Sequence, residues 1–214
     1  MNEEKKSWSD YEQNDKDREA QKQLEFHLKY AMIVMPNLLA LPRINLPKLD
    51  IFVRPIFFPF LILNEIDREG TILIEYSQGE DELCRFELAH EIGHFFHMNI
   101  ANAHPPERKG RITERKYRIH NFYEFGAEMF ALRYIEHLGN LERYLQIDEE
   151  SHTKNSRPGS SPDVYRKTSL FYLSLSLAER NGITRWAITE DYEGYKKDMG
   201  KHPLAKQIRD IVND

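Results

Sequence analysis

The sequence predicts a mixed α+β fold in which a small sheet packs on two helices and further helices follow toward the C-terminus. Two short apolar runs, residues 60–64 and 71–76, flank a turn-forming segment and are typical of paired strands. Two longer segments, residues 81–100 and 121–138, repeat their apolar side chains with the period of a helix. Helical patterns return from residue 164 onward, which predicts additional C-terminal helices.

The composition is typical of a globular protein from a reducing compartment. A chain of 214 residues is long enough for one domain with a sizeable core. A net charge of −5 gives no general affinity for nucleic acid, and a lone cysteine argues against a disulfide scaffold. The charged N-terminus excludes a signal peptide, and the longest apolar stretch, residues 51–63, is too short and too proline-rich to span a bilayer. We therefore expect a cytoplasmic protein without a membrane anchor.

The N-terminal part is predicted to contain a charged lead, a helix and an extended segment. Residues 1–20 carry many charges and few apolar side chains, so we expect a frayed or disordered lead. A helix is predicted from about Lys16 to Met35, because Pro36 cannot continue it. Residues 36–58 are rich in proline and apolar residues and are predicted to be extended.

Phe60–Asn64 and Thr71–Tyr76 are the best strand candidates, with a turn at residues 66–70 between them. The edge of a strand can bind an extended peptide through its main chain. Thr71–Tyr76 is our candidate for this role, and an ordinary position within the sheet is the alternative.

The helix predicted over residues 81–100 carries the most informative motif of the chain. His90 and His94 are four residues apart, so they lie on one face of the helix, one turn from each other. Their imidazoles can bind a single metal ion, and Glu91 between them can reach a water molecule on that metal. The rest of the circumference is mostly apolar and is formed by Leu88, Ala89, Ile92, Phe95, Phe96 and Ile100.

A helix that is apolar nearly all round is buried, and buried histidines and carboxylates need partners. A metal ion supplies such partners, whereas a surface helix with a histidine face would not need the wide apolar arc. His97 faces the same way as His90 but lies about 10 Å further along the axis. We therefore expect His97 to be packed, or to hydrogen-bond to a ligand, rather than to bind the metal.

A catalytic zinc site requires three protein ligands and an open fourth position. Cys84 lies on the far side of the motif helix, so thiolate ligation is not expected. Glu124 heads an inward-facing stripe of the second helix and is our candidate for the third ligand, with Glu128 as an acceptor for the N–H of a ligating histidine. The alternative for Glu124 is a capping box with Asn121, which would use the carboxylate to satisfy a backbone N–H. Ala127 and Ala131 on the same stripe would let the two helices approach closely.

The run from Arg85 to His94, RFELAHEIGH, resembles the RFTLAHELGH run of the ImmA/IrrE metallopeptidases. The stretch from Glu124 to Ala131 is similar to the ExEANxFA helix of that family, and the resemblance covers about residues 60–135. It implies a zincin-like sheet and a gluzincin-type site in which His90, His94 and Glu124 bind Zn²⁺ and Glu91 is the general base. It also implies cleavage of a DNA-binding repressor. The chain departs from the family pattern in three places: Gly126 replaces a glutamate, Glu128 replaces an asparagine, and the closing LLMP is absent.

Residues 101–120 contain six lysines and arginines between Arg108 and Arg118. Such a loop could be a substrate lip for an acidic peptide, and a solvated surface segment is the alternative. Tyr117, His120 and Tyr123 are candidates for a hydrogen bond to a tetrahedral oxyanion, and the sequence does not choose among them.

Residues 151–163 are predicted to be a linker or long loop between a zinc metallopeptidase domain, residues 21–150, and a C-terminal helical segment, residues 164–214. Within this segment we expect a helix from Val164 to Arg180 that is closed by Asn181–Gly182. A second helix is expected from Thr184 to Met199 and a short third one from Pro203. The apolar side chains of the segment could pack on the core or bind a partner.

Together these features predict a zinc-dependent endopeptidase that cleaves an intracellular protein, with a helix-turn-helix repressor suggested by the family resemblance. Direct nucleic-acid binding is not expected, and the oligomeric state is left open. The alternative is a zinc-stabilised interaction or regulatory module without turnover. Glu91 favours the enzyme, because a structural zinc site does not need that carboxylate.

Overall fold

The computed structural model describes residues 15–54, 60–63, 68–74, 81–102, 114–152, 162–198 and 202–213. Over these residues the protein has a mixed α+β fold, as predicted, that is mostly helical with a small three-stranded sheet. Its elements are, in chain order, α1 (Asp15–Leu38), β1 (Leu49–Val53), β2 (Phe60–Leu63), β3 (Gly70–Ile74), α2 (Asp81–Ile100), α3 (Glu114–His137), α4 (Leu141–His152), α5 (Pro162–Ser174), α6 (Leu177–Thr189), α7 (Tyr192–Asp198) and α8 (Ala205–Val212).

The sheet has the strand order β1–β3–β2. Strand β1 runs parallel to β3, with Leu49 opposite Gly70, and β2 runs antiparallel to β3, with Leu63 opposite the same glycine. The predictions of β2 and β3 are confirmed within the described residues. The predicted peptide-binding edge at Thr71–Tyr76 is wrong for residues 71–74, because β3 is the central strand and both of its sides are paired.

Helix α1 is longer at both ends than the sequence predicts. It begins at Asp15, so the last six residues of the predicted lead are helical, and it continues past Pro36 to Leu38. A proline inside a helix costs about 3 kcal/mol. Met35 and Leu39 on either side of it are almost completely buried, and burial of each contributes about 1.5–3 kcal/mol, which offsets that cost. Residues 1–14 of the predicted lead lie outside the described part of the chain.

Helices α2 and α3 pack against each other at the centre of the molecule. A Cβ atom added to Gly93 would lie 2.9 Å from the Cα atom of Ala127, closer than real Cβ contacts allow. Glycine on α2 and alanine on α3 therefore set the short distance between the two helices. This confirms the predicted role of Ala127 in a close helix approach.

Helix α3 begins seven residues before Asn121, which excludes the capping box with Glu124. Asn121 lies in the helix interior, and its side-chain amide donates to the carbonyl oxygen of Val212 at 3.1 Å. Residues 114–120 of the predicted basic loop are also helical, and residues 103–113 lie outside the described ranges. The substrate-lip prediction therefore falls mainly on residues that the structure does not describe.

The C-terminal helices divide at positions other than those predicted. The helix expected to run from Val164 to Arg180 ends at Ser174. Helix α6 starts after a capping box, in which the Ser176 side chain accepts from the Glu179 N–H and the Glu179 side chain accepts from the Ser176 N–H. Asn181 and Gly182, predicted to close a helix, lie inside α6. The helix predicted from Thr184 to Met199 is divided between α6 and α7, and α8 begins two residues after the predicted Pro203.

The C-terminal helices pack on the core, and α5, α6 and α8 all contact α3. The Tyr172 hydroxyl group donates to the carboxylate of Glu136 at 2.5 Å, and Arg180 forms an ion pair with the same carboxylate. Residues 153–161 of the predicted linker lie outside the described ranges. Among the helices described, none has the length together with the apolar character needed to cross a membrane.

Candidate metal centre

His90 and His94 of α2 face Glu124 of α3, and these three residues form a group able to hold a metal ion. One ligand atom from each residue lies within 4.8 Å of the other two. The close α2–α3 contact at Gly93 and Ala127 brings the two helices to this distance. The structure thus brings together the three residues that the sequence predicts as zinc ligands.

The distances between donor atoms suit a small cation. His90 Nε2 lies 3.2 Å from Glu124 Oε2, and His94 Nε2 lies 3.7 Å from Glu124 Oε1. Tetrahedral zinc with ligand bonds of about 2.0–2.2 Å separates its donor atoms by roughly 3.4 Å. These two contacts, made to different oxygens of Glu124, and the chemical types of the three residues are compatible with a metal ion.

The burial of the group differs from one member to the next. His90 and Glu124 are buried, whereas the His94 side chain is 17% exposed. His94 is thus the most accessible member of a largely buried group.

Glu128 lies one turn after Glu124 and is almost completely buried. Its Oε2 atom lies 3.2 Å from His90 Nδ1, on the other side of the imidazole from Glu124. A carboxylate at Nδ1 holds the proton there and leaves Nε2 with a free lone pair for a metal. This is the location expected for the predicted acceptor.

The charges of this group compensate one another in the metal-free protein. Burial lowers the pKa of His90, but hydrogen bonds to Glu124 and Glu128 outweigh it and raise the pKa to about 10. Burial alone would raise the pKa of Glu124, but the neighbouring His94 and His90 hold that pKa well below its usual range. A proton on His90 thus balances the buried carboxylates, and a divalent cation can replace that proton.

Glu91 follows His90 directly on α2 and is buried. The structure therefore holds the predicted general base beside the group that could bind the metal. Cys84 is buried on the same helix and is not a member of that group, in agreement with the prediction.

Two further residues contact the Glu124 carboxylate. The Tyr165 hydroxyl group donates to Oε2 at 2.7 Å, and His120 Nδ1 lies 3.5 Å from Oε1. His120 was one of three oxyanion candidates and lies one turn before Glu124 on α3. Of the other two, Tyr123 packs its ring against His97, with the centroids 4.6 Å apart, and Tyr117 is half-buried two turns before Glu124.

Sequence reasoning did not identify Tyr165 as a site residue. It lies on α5, 41 residues after Glu124, and no local spacing connects the two. The only signal was its place among the apolar residues of a predicted helix, which indicates packing and not a role in the site.

His97 is packed, as predicted, and its Nε2–H donates to the backbone carbonyl oxygen of Glu190 at 2.7 Å. Its Nδ1 atom has no hydrogen-bond partner among the described residues. A Cβ atom added to Gly126 would lie 3.2 Å from that nitrogen and 3.1 Å from the carbonyl oxygen of Ala187. The contacts with His97 and α6 thus favour a residue without a side chain at this position.

Comparisons with protein-family models, with curated proteins and with solved structures give no match to this chain.

Proposed function

We propose that this protein is a zinc-dependent endopeptidase of the ImmA/IrrE type, with a zincin-like arrangement of sheet and helices. The observation that carries the proposal is the convergence of His90 and His94 of α2 with Glu124 of α3 at spacings compatible with a metal ion, with Glu91 on the same helix as the two histidines. The carboxylate of Glu128 at His90 Nδ1 supports it, because histidines that bind metals commonly donate their other N–H to such a group.

Each residue has a defined task in this proposal. His90 and His94 donate neutral nitrogen lone pairs, and Glu124 supplies a negative oxygen that balances part of the cation's charge. A zinc ion bound there supplies a Lewis acid that acidifies water and polarises the scissile carbonyl group. The Glu91 carboxylate accepts a proton from the attacking water and returns it to the nitrogen of the leaving amine. Glu128 keeps the proton of His90 on Nδ1 throughout.

The proposed substrate is an intracellular protein that is cut at one or a few sites in a flexible segment. The resemblance to the ImmA/IrrE family suggests a helix-turn-helix repressor. The basic residues 108–118 favour an acidic cleavage region, and cleavage should then weaken as salt rises. No helix of the described part is suited to crossing a membrane, which is compatible with this substrate class.

The test compares the zinc-loaded wild type with Glu91→Gln on a repressor encoded beside this protein. The amide of the variant cannot take a proton, so we expect it to keep zinc and fold but to lose cleavage. Mass spectrometry of the fragments locates the cut, and elemental analysis confirms equal zinc in both proteins.

Cleavage by Glu91→Gln at the wild-type rate would contradict the assigned mechanism. An intact repressor that associates tightly with the protein only when zinc is present would favour the non-catalytic module. A carefully purified wild type without any metal would remove the basis of the whole proposal.

A further inference from the structure

The carboxylate of Glu124 is held by residues from three helices. Its Oε2 atom faces His90 Nε2 of α2 and the Tyr165 hydroxyl group of α5. Its Oε1 atom faces His94 of α2 and His120 of α3. Of these four residues, Tyr165 is the one that lies after residues 151–163, in the predicted C-terminal helical segment.

Tyr165 has a property that the two α2 histidines lack. A histidine nitrogen that binds a cation directs its lone pair to the metal and cannot donate a hydrogen bond to Glu124 at the same time. A tyrosine hydroxyl group is neutral at physiological pH and carries a proton that it can keep donating. The Tyr165 hydrogen bond is thus compatible with a bound metal, whereas a metal on His90 Nε2 would replace the hydrogen bond from that nitrogen to Glu124.

Helix α5 is fixed firmly enough to give Tyr165 a defined position. Val164 and Thr168 on either side of Tyr165 are buried, and Phe171 packs against Phe125 of α3 with ring centroids 6.1 Å apart. The Tyr165 ring itself lies 5.8 Å from the His90 ring, centroid to centroid. The packing of the buried face of α5 and the contact between the Tyr165 and His90 rings therefore place the hydroxyl group at the carboxylate.

We propose that Tyr165 is a positioning residue for Glu124, so that the C-terminal helix α5 forms part of the metal centre. This inference rests on the proposed zinc site and adds a residue to it. The hydroxyl group orients the carboxylate before the metal binds, which lowers the conformational cost of binding. The predicted C-terminal helical segment then contributes to the proposed activity as well as to the fold.

The experiment measures zinc affinity by chelator competition in wild type, Tyr165→Phe and Tyr172→Phe. The control removes the same chemical group from the same helix, because Tyr172 also donates its hydroxyl group to a carboxylate of α3, Glu136. Loss of an outer hydrogen bond to a metal ligand typically weakens metal affinity by about 10–100-fold. We expect Tyr165→Phe to raise the zinc Kd by about 10-fold. Tyr172→Phe should lower the thermal stability and leave the zinc Kd unchanged.

The visible spectrum of the cobalt-substituted protein gives a second readout that does not depend on catalysis. It should change in Tyr165→Phe and stay as in wild type in Tyr172→Phe, since only the first change alters the surroundings of Glu124. A wild-type zinc Kd in Tyr165→Phe would overturn the inference, and so would an equal loss of affinity in both variants. In each of these cases wild type still binds zinc and the proposed site stands. A wild type that binds no zinc would overturn the proposed function and this inference together.

Discussion

His90 and His97 lie two turns apart on the same face of α2, and both are buried, yet their pKa values move in opposite directions. Burial favours the neutral imidazole in both cases. At His90 the hydrogen bonds to Glu124 and Glu128 outweigh burial and raise the pKa to about 10. At His97 burial outweighs the hydrogen bond to the Glu190 carbonyl oxygen, and the pKa falls to about 3.

His90 and His97 share one face of α2. The residues of α3 that each histidine meets, and not the pattern of α2, therefore distinguish the two ends of this face. The His90 end meets two carboxylates of α3, whereas the His97 end meets Gly126 and the aromatic rings of Phe122 and Tyr123. Two carboxylates in hydrogen-bond contact make the His90 end compatible with a cation, and the contacts of His97 are mainly packing contacts. Three experiments can sharpen or break this contrast.

The largest difference is expected in metal content. We expect about one zinc per chain in wild type and almost none in His90→Ala or His94→Ala, because two remaining ligands bind zinc weakly. His97→Ala should keep its zinc and lose about 2–3 kcal/mol of unfolding free energy, since it leaves a cavity and an unpaired Glu190 carbonyl group. Elemental analysis and denaturant unfolding measure the two effects. A His97→Ala protein that folds but contains no zinc would show that zinc binding depends on His97 as well.

A smaller difference is expected between two glycines at the α2–α3 contact. A Cβ atom at Gly93 would lie 2.9 Å from the backbone of Ala127, so Gly93→Ala should push the helices apart beside His94. At Gly126 the added carbon meets the carbonyl oxygen of Ala187 in α6 at 3.1 Å and the ring of His97, and neither contact is with the backbone of α2. Overpacking of this kind costs about 1–3 kcal/mol, and the better helix propensity of alanine recovers up to about 1 kcal/mol.

Only Gly93→Ala should also weaken zinc binding, because only that change moves the ligands of α2 away from Glu124. Chelator competition and unfolding of both variants measure the two quantities. Equal zinc affinity in the two variants would argue that the helix distance at Gly93 does not control the site.

The parts of the molecule predicted well from sequence depend on short-range patterns. The four-residue spacing of His90 and His94 and the helical stripe headed by Glu124 each lie within one helix, so their geometry follows from the helix period. The location of Glu128 beside His90 followed from the same stripe. Strands β2 and β3 were found because both are short apolar runs bounded by turn residues.

The parts that were missed depend on contacts between distant segments. Strand β1 lies within residues 36–58, which were predicted to be extended, but its parallel pairing with β3, starting from the pair Leu49–Gly70, is indicated by no local pattern. Helix α1 continues through Pro36 because burial of its neighbours compensates the lost hydrogen bond. Tyr165 reaches Glu124 only because α5 packs on α3. The break between α5 and α6 is different, since the Ser176–Glu179 capping box is a local signal that was overlooked.

The last prediction is a pH dependence of stability that comes from His97 at the packed end of α2. Burial holds the pKa of folded His97 at about 3, against about 6.5 in the unfolded chain. Above pH 6.5 the imidazole is neutral in both states, and its contribution to stability is fully present. As the pH falls below 6.5, only the unfolded state takes up the proton, so the unfolding free energy decreases by up to about 1.4 kcal/mol per pH unit. The loss continues down to about pH 3.

The matched variant is His97→Gln, whose amide can still donate to the Glu190 carbonyl oxygen but does not titrate. His27 is half-buried, and its pKa is lowered to about 4, so part of the acid sensitivity remains in both proteins. Denaturant unfolding of metal-free wild type and variant between pH 7 and about pH 4.5 isolates the His97 contribution as the difference in slope. We expect the slope to be smaller in His97→Gln. Equal slopes would mean that His97 takes up a proton in the folded state as it does in the unfolded chain. The pKa of His97 would then not be lowered by burial, and the contrast with His90 would be wrong.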